Sequence, residues 1–140
     1  MDLFPLRVPP GADLRQVLEA CLAGQGQTGA FVVCGIGSLT GARLRCAGRA
    51  EETVIAGPLE LISLAGSLSP DGAHLHMSVS DEHGQVFGGH VGRGNTVRTT
   101  AEVLLAFLPA WHLSREHDAG TGFQELVVRP RNGTGRGELP

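Results

Sequence analysis

The stretch His74–His90, HLHMSVSDEHGQVFGGH, holds four of the chain's six histidines in seventeen positions. In an extended chain successive side chains point to opposite faces, so His74, His76, Ser78 and Ser80 share one face and Leu75, Met77 and Val79 the other. After the turn, Phe87 and Val91 form an apolar side, with Val86, Gly88 and His90 opposite. Directly opposed residues of a hairpin share a face, so burying both apolar sets together requires a connection of odd length. Glu82-His83-Gly84 supplies one, with Gly84 suited to a left-handed turn position. That register sets His90 across from His76. Three imidazoles are thereby brought together because the hydrophobic side demands the alignment, before any metal is invoked.

Two readings of His74, His76 and His90 stand side by side. Three neutral imidazoles on a rigid hairpin have the facial arrangement of a zinc site with a fourth position open to water. Alternatively, they line a hydrated sheet face and bond to Ser78, Ser80 or backbone carbonyls, as scattered histidines usually do. The triplet favours the metal. Gly88 and Gly89 leave room beside His90 for a ligand or a neighbouring subunit. His83 sits at the turn tip, and His112 and His117 have no comparable arrangement, so solvation is expected for all three.

Outward from the hairpin, the clearest helix is ADLRQVLEACLAG (12–24). Asp13 can cap it, Leu14, Val17, Leu18, Cys21 and Leu22 recur at helical spacing, and Gly24 can end it. The remaining signals are strand-like: short aliphatic runs broken by glycines and by the SPDG and DEHG turns. Strands are expected near 29–36, 42–48, 53–56, 59–68, 74–80, 85–92, 101–108 and 110–116, with a short return near 123–128. One helix against many strands joined by short turns predicts an α+β fold on a mostly antiparallel sheet. After Val128 the tail RPRNGTGRGELP loses apolar periodicity, so the expected division is a domain over 1–128 and a mobile tail over 129–140.

The chain of 140 residues, 41% of them hydrophobic, is long enough for one domain with its own core. Its formal net charge of −3, with all positive charges on Arg, provides no broad basic field of the kind that gathers nucleic-acid phosphates. Cys21, Cys34 and Cys46 lack C-x-x-C spacing and lie in apolar stretches, where free Cys behaves as a small buried hydrophobe. The start MDLFPLRVPP has no signal-peptide pattern, and no apolar run approaches the roughly 18 to 20 residues of a membrane span. A reduced, cytoplasmic protein with no membrane association is expected. The 21 glycines, about twice the usual share of roughly 7%, imply tight turns and close backbone approaches.

Glu102 is the one charge in TTAEVLLAFLPAW (99–111). It is read as an acceptor for a metal-bound histidine, a general acid or base, or a solvated side chain at a strand edge. There is no G-x-S-x-G, P-loop or strand-to-helix G-x-G-x-x-G. GIGSLTG lacks the lysine and the following helix of a phosphate loop, and is read as a glycine-rich strand turn.

Taken together, VVCGIGSLTGARL (32–44), LELISLAGSLSPDGAHLHMSVSDEHGQVFGGHV (59–91), TTAEVLL (99–105) and TGFQEL (121–126) resemble the PPC domain, the plants-and-prokaryotes conserved family, across about residues 1–128. The resemblance implies a strongly bent antiparallel sheet and a homotrimer. Single-domain prokaryotic members carry a DNA-binding label by association with plant members, whose AT-hook segments contact the DNA. It also implies that the H-x-H and G-G-H elements are metal ligands, which match His74, His76 and His90. The fold is similar, more distantly, to that of acetolactate decarboxylase, a zinc enzyme with an H-x-H…H triad, so a zinc-dependent lyase or hydrolase acting on a small carbonyl or ester is the alternative to a DNA-binding or regulatory module. For DNA, the candidates are Arg129, Arg131 and Arg136 of the tail, which lacks an AT-hook core, and Arg93 and Arg98 near the hairpin. A DNA-associated protein partner is a further expectation of the label.

Overall fold

The computed structural model describes residues 1–131. It consists of β1 (Asp2–Val8), α1 (Leu14–Gly24), β2 (Ala30–Arg45), β3 (Thr53–Ser69), β4 (Gly72–Ser80), β5 (Val86–Val91), β6 (Val97–Phe107), β7 (Trp111–His117) and β8 (Gln124–Pro130). Strands β1–β6 form an antiparallel sheet in the order β1-β6-β2-β3-β4-β5, and β7 and β8 pair as a separate hairpin. The α+β class with one main helix and a mostly antiparallel sheet is the one expected from the sequence.

The two longest strands are where the expected boundaries differ. Runs read as two strands each, 29–36 with 42–48 and 53–56 with 59–68, are single strands of 16 and 17 residues. What looked like punctuation is absorbed as bulges: the β2–β3 register shifts between Leu39 and Gly41, and the β2–β6 register shifts between Val32 and Cys34 and between Gly37 and Leu39. An extra residue in one strand bends it and increases its twist without ending it. GIGSLTG is therefore the bent middle of β2, not a turn. The bend carries the far end of β2 around to β5, where Leu44 pairs with Val91 and Arg45 with His90. Strands β2 to β5 thus curl back on themselves, leaving β1 as an outer strand.

β1 was not among the expected strands. Its Pro5 argues against a central strand, but an edge strand tolerates proline; among the described residues β1 pairs on one side only, with β6. Likewise β8 runs two residues past Val128, because Arg129 and Pro130 pair with His112 and Trp111.

α1 buries Leu14, Leu18 and Leu22 and packs on β3 and β4. Each leucine so buried contributes about 1.5–3 kcal/mol. Asp13 accepts the Gln16 N–H at 2.9 Å, as expected of the cap. Gly24 is the last helical residue, and the left-handed position that ends the helix falls to Gly26 (φ 61°). The core joins this helix face to Leu39, Leu44, Leu59, Leu68, Leu75, Val79, Val91 and Leu105 of the sheet. Cys34 corrects the expectation of buried thiols: it is exposed, since the bulge at Val32/Cys34 puts it on the outer face, while Cys21 and Cys46 are half-buried and all three are unpaired. No helix among the described residues is long and apolar enough to cross a membrane.

Candidate metal centre

The hairpin β4–β5 has the register read from the sequence: His76 lies opposite His90, Ser78 opposite Gly88 and Val79 opposite Phe87. The connection spans 81–85, with Gly84 at φ 75° as its turn geometry requires and Asp81 Oδ1 accepting the N–H groups of His83 and Gln85. Leu75, Met77 and Val79 face the core, leaving the alternate residues His74 and His76 on the outer face.

The three imidazoles meet. One ligand atom from each of His74, His76 and His90 lies within 4.8 Å of the others. The Nε2 atoms of His74 and His76 are 3.2 Å apart, and the ring centroids are separated by 5.0 Å (His74–His76), 5.0 Å (His74–His90) and 5.6 Å (His76–His90). On β3 the facing residues are small, Ser67 opposite His74 and Ala65 opposite His76. Gly66 between them makes the closest backbone approach: a Cβ there would sit 2.0 Å from the His74 carbonyl oxygen, and its φ of 145° lies where L side chains are strained.

The surroundings of His74 and His90 favour the neutral ring. Burial, and then the neighbouring His74 and Arg45, push His90 down to about 4. Burial, followed by Arg115 and His76, lowers His74, against an opposing pull from Glu125. Neutral imidazole is the ligating form. The decisive atom is Nδ1 of His90, which is buried and has no hydrogen-bond partner among the described residues. An unpaired buried ring nitrogen costs free energy unless a proton donor or a Lewis acid meets it. The donor set therefore fits a metal ion.

Other residues singled out in the sequence lie elsewhere. Glu102 is exposed on β6, opposite Arg7 and Ile36, and neither cleft it borders includes a histidine of the triad. Arg129 is part of β8 and pairs with Glu116, whose carboxyl this contact and a Ser114 hydrogen bond hold down at about 2. Arg131 follows the strand, with its N–H donating to the Ala110 carbonyl at 2.8 Å, and Arg136 lies outside the described residues. Arg93 is 2.8 Å from Glu19, and Arg98 borders a cleft with Glu60 and Glu102. His83 is exposed at the turn, beside Glu82.

Three contributors were not foreseen. Glu19 ties α1 to the site's strand, accepting from Arg15, Arg93 and the Ala73 N–H. Burial alone would raise its carboxyl, but these partners outweigh burial and hold it below its ordinary value. Arg45 reaches the triad only through the long-range β2–β5 pairing. Arg115 follows Leu113 by two positions on β7, and Leu113 is fully buried; that parity was the available signal that Arg115 points inward.

An α+β domain with a curled antiparallel sheet and a three-histidine cluster that could hold a metal is the class these observations define. Over residues 1–109 the chain matches the Plants and Prokaryotes Conserved (PCC) domain, the family called PPC above, and it belongs to that family. A curated relative, the bifunctional protein GlmU of a Synechococcus strain, is 42% identical over 130 residues, 93% of this chain but 21% of the relative; the chain spans about a fifth of that protein's length. Among solved structures, a hypothetical protein from Salmonella enterica is 39% identical, with a TM-score of 0.90 over 93% of this chain and 94% of that one. A metal-containing protein from Archaeoglobus fulgidus is 25% identical, with a TM-score of 0.74 over 91% and 94%. A protein from Ralstonia eutropha, named for proposed DNA binding, shares the fold at 24% identity, with a TM-score of 0.70 over 89% of each chain.

Proposed function

We propose that this chain is a zinc-binding PPC module whose metal is held by His74, His76 and His90 and whose task is chemistry on a small carbonyl or ester substrate, as a lyase or hydrolase. The observation that carries the reading is the convergence of three imidazoles, with one ring nitrogen of each within 4.8 Å of the others. The metal-containing Archaeoglobus relative supports it. When bound, zinc in such a set supplies a Lewis acid that polarises a carbonyl and acidifies water. The chain's own residues do the rest. Leu75 and Met77, packed in the core, fix the strand that carries His74 and His76, and the Arg45–His90 rung fixes the third ring. Glu102 borders two clefts, neither of which includes a histidine of the triad, and is given no part in that work.

The proposed assembly is a homotrimer. Phe31, Val33, Ile36 and Ile62 on β2 and β3, with Leu3 on the edge strand, are all at least 41% exposed, and contiguous apolar surface of this kind marks an interaction site. The free thiols accord with a cytoplasmic setting. Direct DNA binding is a second reading, favoured by the name of the Ralstonia neighbour. It finds less support in the surface, where Arg129 and Arg93 are already engaged by carboxylates. Elemental analysis of untagged protein, beside the His74→Ala/His76→Ala variant, tests the proposal. About one zinc per chain, lost in the variant with its fold intact, supports it; metal-free protein after zinc is supplied overturns it.

A further inference from the structure

A cleft of about 490 Å³ opens beside the triad, bordered by His74 and His90, by Arg15, Arg45 and Arg115, and by Phe123. Its walls come from distant parts of the chain. Arg45 is at the end of β2, directly opposite His90. Arg115 and Phe123 belong to the β7–β8 hairpin and its turn, which lie beyond the residues matched by the family pattern.

The arginines do different things. Arg15 is committed, its Nε donating to Glu19 at 2.9 Å and its NH1 group to the Val91 carbonyl at 3.0 Å. Arg115 is anchored at one corner, where NH2 donates to Ser67 Oγ at 2.6 Å, while Asp71 accepts its backbone N–H at 2.8 Å. Its remaining guanidinium donors, and all those of Arg45, have no acceptor among the described residues. An anchored guanidinium and a free one lining the same cleft present planar, paired donors of the kind that recognise carboxylates. Phe123 is 71% exposed at the cleft rim, an apolar wall with no core to pack on.

Charge limits what can enter. Arg15 is matched by Glu19, so Arg45 and Arg115 stand against Asp71 and Glu125 along the same lining. With no surplus of positive charge, the lining suits a ligand with one negative charge better than one with two.

We propose that this cleft binds a small organic monocarboxylate, with its carboxylate on Arg45 and Arg115, its carbon chain against Phe123 and its far end at the histidine cluster. This rests on the metal-site reading for the far end only; the carboxylate contacts belong to the protein itself. It names a substrate class for the site: short carboxylic acids carrying a carbonyl or ester group within a few atoms of the carboxylate.

The test is calorimetric titration of the full chain, zinc-loaded and zinc-free, with pyruvate, butyrate, butyramide and inorganic phosphate. Pyruvate and butyrate are expected to bind, and butyramide to bind at least about tenfold more weakly, the equivalent of one lost charge-assisted contact. Arg45→Gln and Arg115→Gln are each expected to weaken pyruvate by about tenfold or more with zinc content unchanged. The Arg45 side chain makes no hydrogen bond or ion pair among the described residues, so its variant stays informative if Arg115→Gln destabilises the hairpin. Equal binding of butyramide, tighter binding of phosphate, or indifference to Arg45→Gln overturns the assignment. If the chain takes up no zinc, the metal reading fails by itself; carboxylate binding by that protein, lost in Arg45→Gln, still supports the cleft, and its absence overturns it.

Discussion

Asn95 is fully buried, and its side-chain amide accepts the Arg43 N–H at 2.8 Å while donating to the carbonyls of Gly92 and Arg43 at 2.9 and 3.2 Å. It thereby clamps the segment between β5 and β6 to β2 at Arg43, next to the Leu44–Val91 rung. Asn95→Asp keeps the shape and the acceptor but removes both donors and sets a carboxylate against two carbonyl oxygens. Losing two net hydrogen bonds costs about 2 kcal/mol, and the unsatisfied buried group adds about 1–3 more, for roughly 3–5 kcal/mol at pH 7. For a chain of this size that is a fall in Tm of about 10–20 °C at fixed protein concentration. The pH dependence carries the signature. The buried carboxyl titrates above its unfolded value of about 3.9, so the penalty is smallest below that pH and grows as pH rises through the folded pKa. Urea denaturation of Asn95→Asp and Asn95→Ala between pH 4 and 8 separates the effects, since only the first should change its deficit with pH. A deficit under about 1 kcal/mol at pH 7, or one equally flat in both variants, refutes the assigned role of the clamp.

Gly66→Ala places a Cβ 2.0 Å from the His74 carbonyl oxygen; a loss of about 2–4 kcal/mol by chemical denaturation is expected, with weaker zinc binding in a competition titration because β3 and β4 must part at the triad. Its contacts with Arg15, Arg93 and the Ala73 N–H hold Glu19 below the ordinary glutamate range in the folded chain, so its stabilisation is complete above that range and lost as pH falls through the lower folded value; Glu19→Gln should be less stable at pH 7 and flatten the acid limb of a stability–pH curve. Zinc held only by the folded chain should raise stability by about 2.7 kcal/mol at a free concentration one hundred times Kd, and thermal melts with a chelator should return the protein to its metal-free Tm. Leu18→Ala, at a fully buried helix position, should cost about 2–5 kcal/mol in urea denaturation while the zinc stoichiometry of the folded protein is unchanged.

The parts of the fold legible in the sequence are those decided by short-range periodicity. α1 followed from its leucine spacing and Asp13, and the β4–β5 hairpin from alternation plus the parity of its connection. The long strands were not legible, because a glycine in a bulge reads locally like a glycine in a turn; only pairing with β6 and β3 distinguishes them. β1 was masked by Pro5, whose tolerance depends on having a neighbour on one side alone. The site divides in the same way. Placing His74, His76 and His90 together needed one hairpin register, which burial of Leu75, Val79 and Val91 determines. Arg45 needed the closure of β2 onto β5, and Arg115 the folding of the β7–β8 hairpin toward Ser67, both contacts far apart in sequence. Glu102 stood out as a lone charge in an apolar run, yet strand alternation puts it on the exposed face beside Arg7.

X-ray absorption at the zinc edge of the zinc-loaded protein addresses the central claim most directly. Three imidazole nitrogens at about 2.0–2.1 Å, with no sulfur and with the signal lost in His90→Ala, are the expected result. Sulfur at about 2.3 Å, or a spectrum unchanged by His90→Ala, would contradict a centre built by His74, His76 and His90.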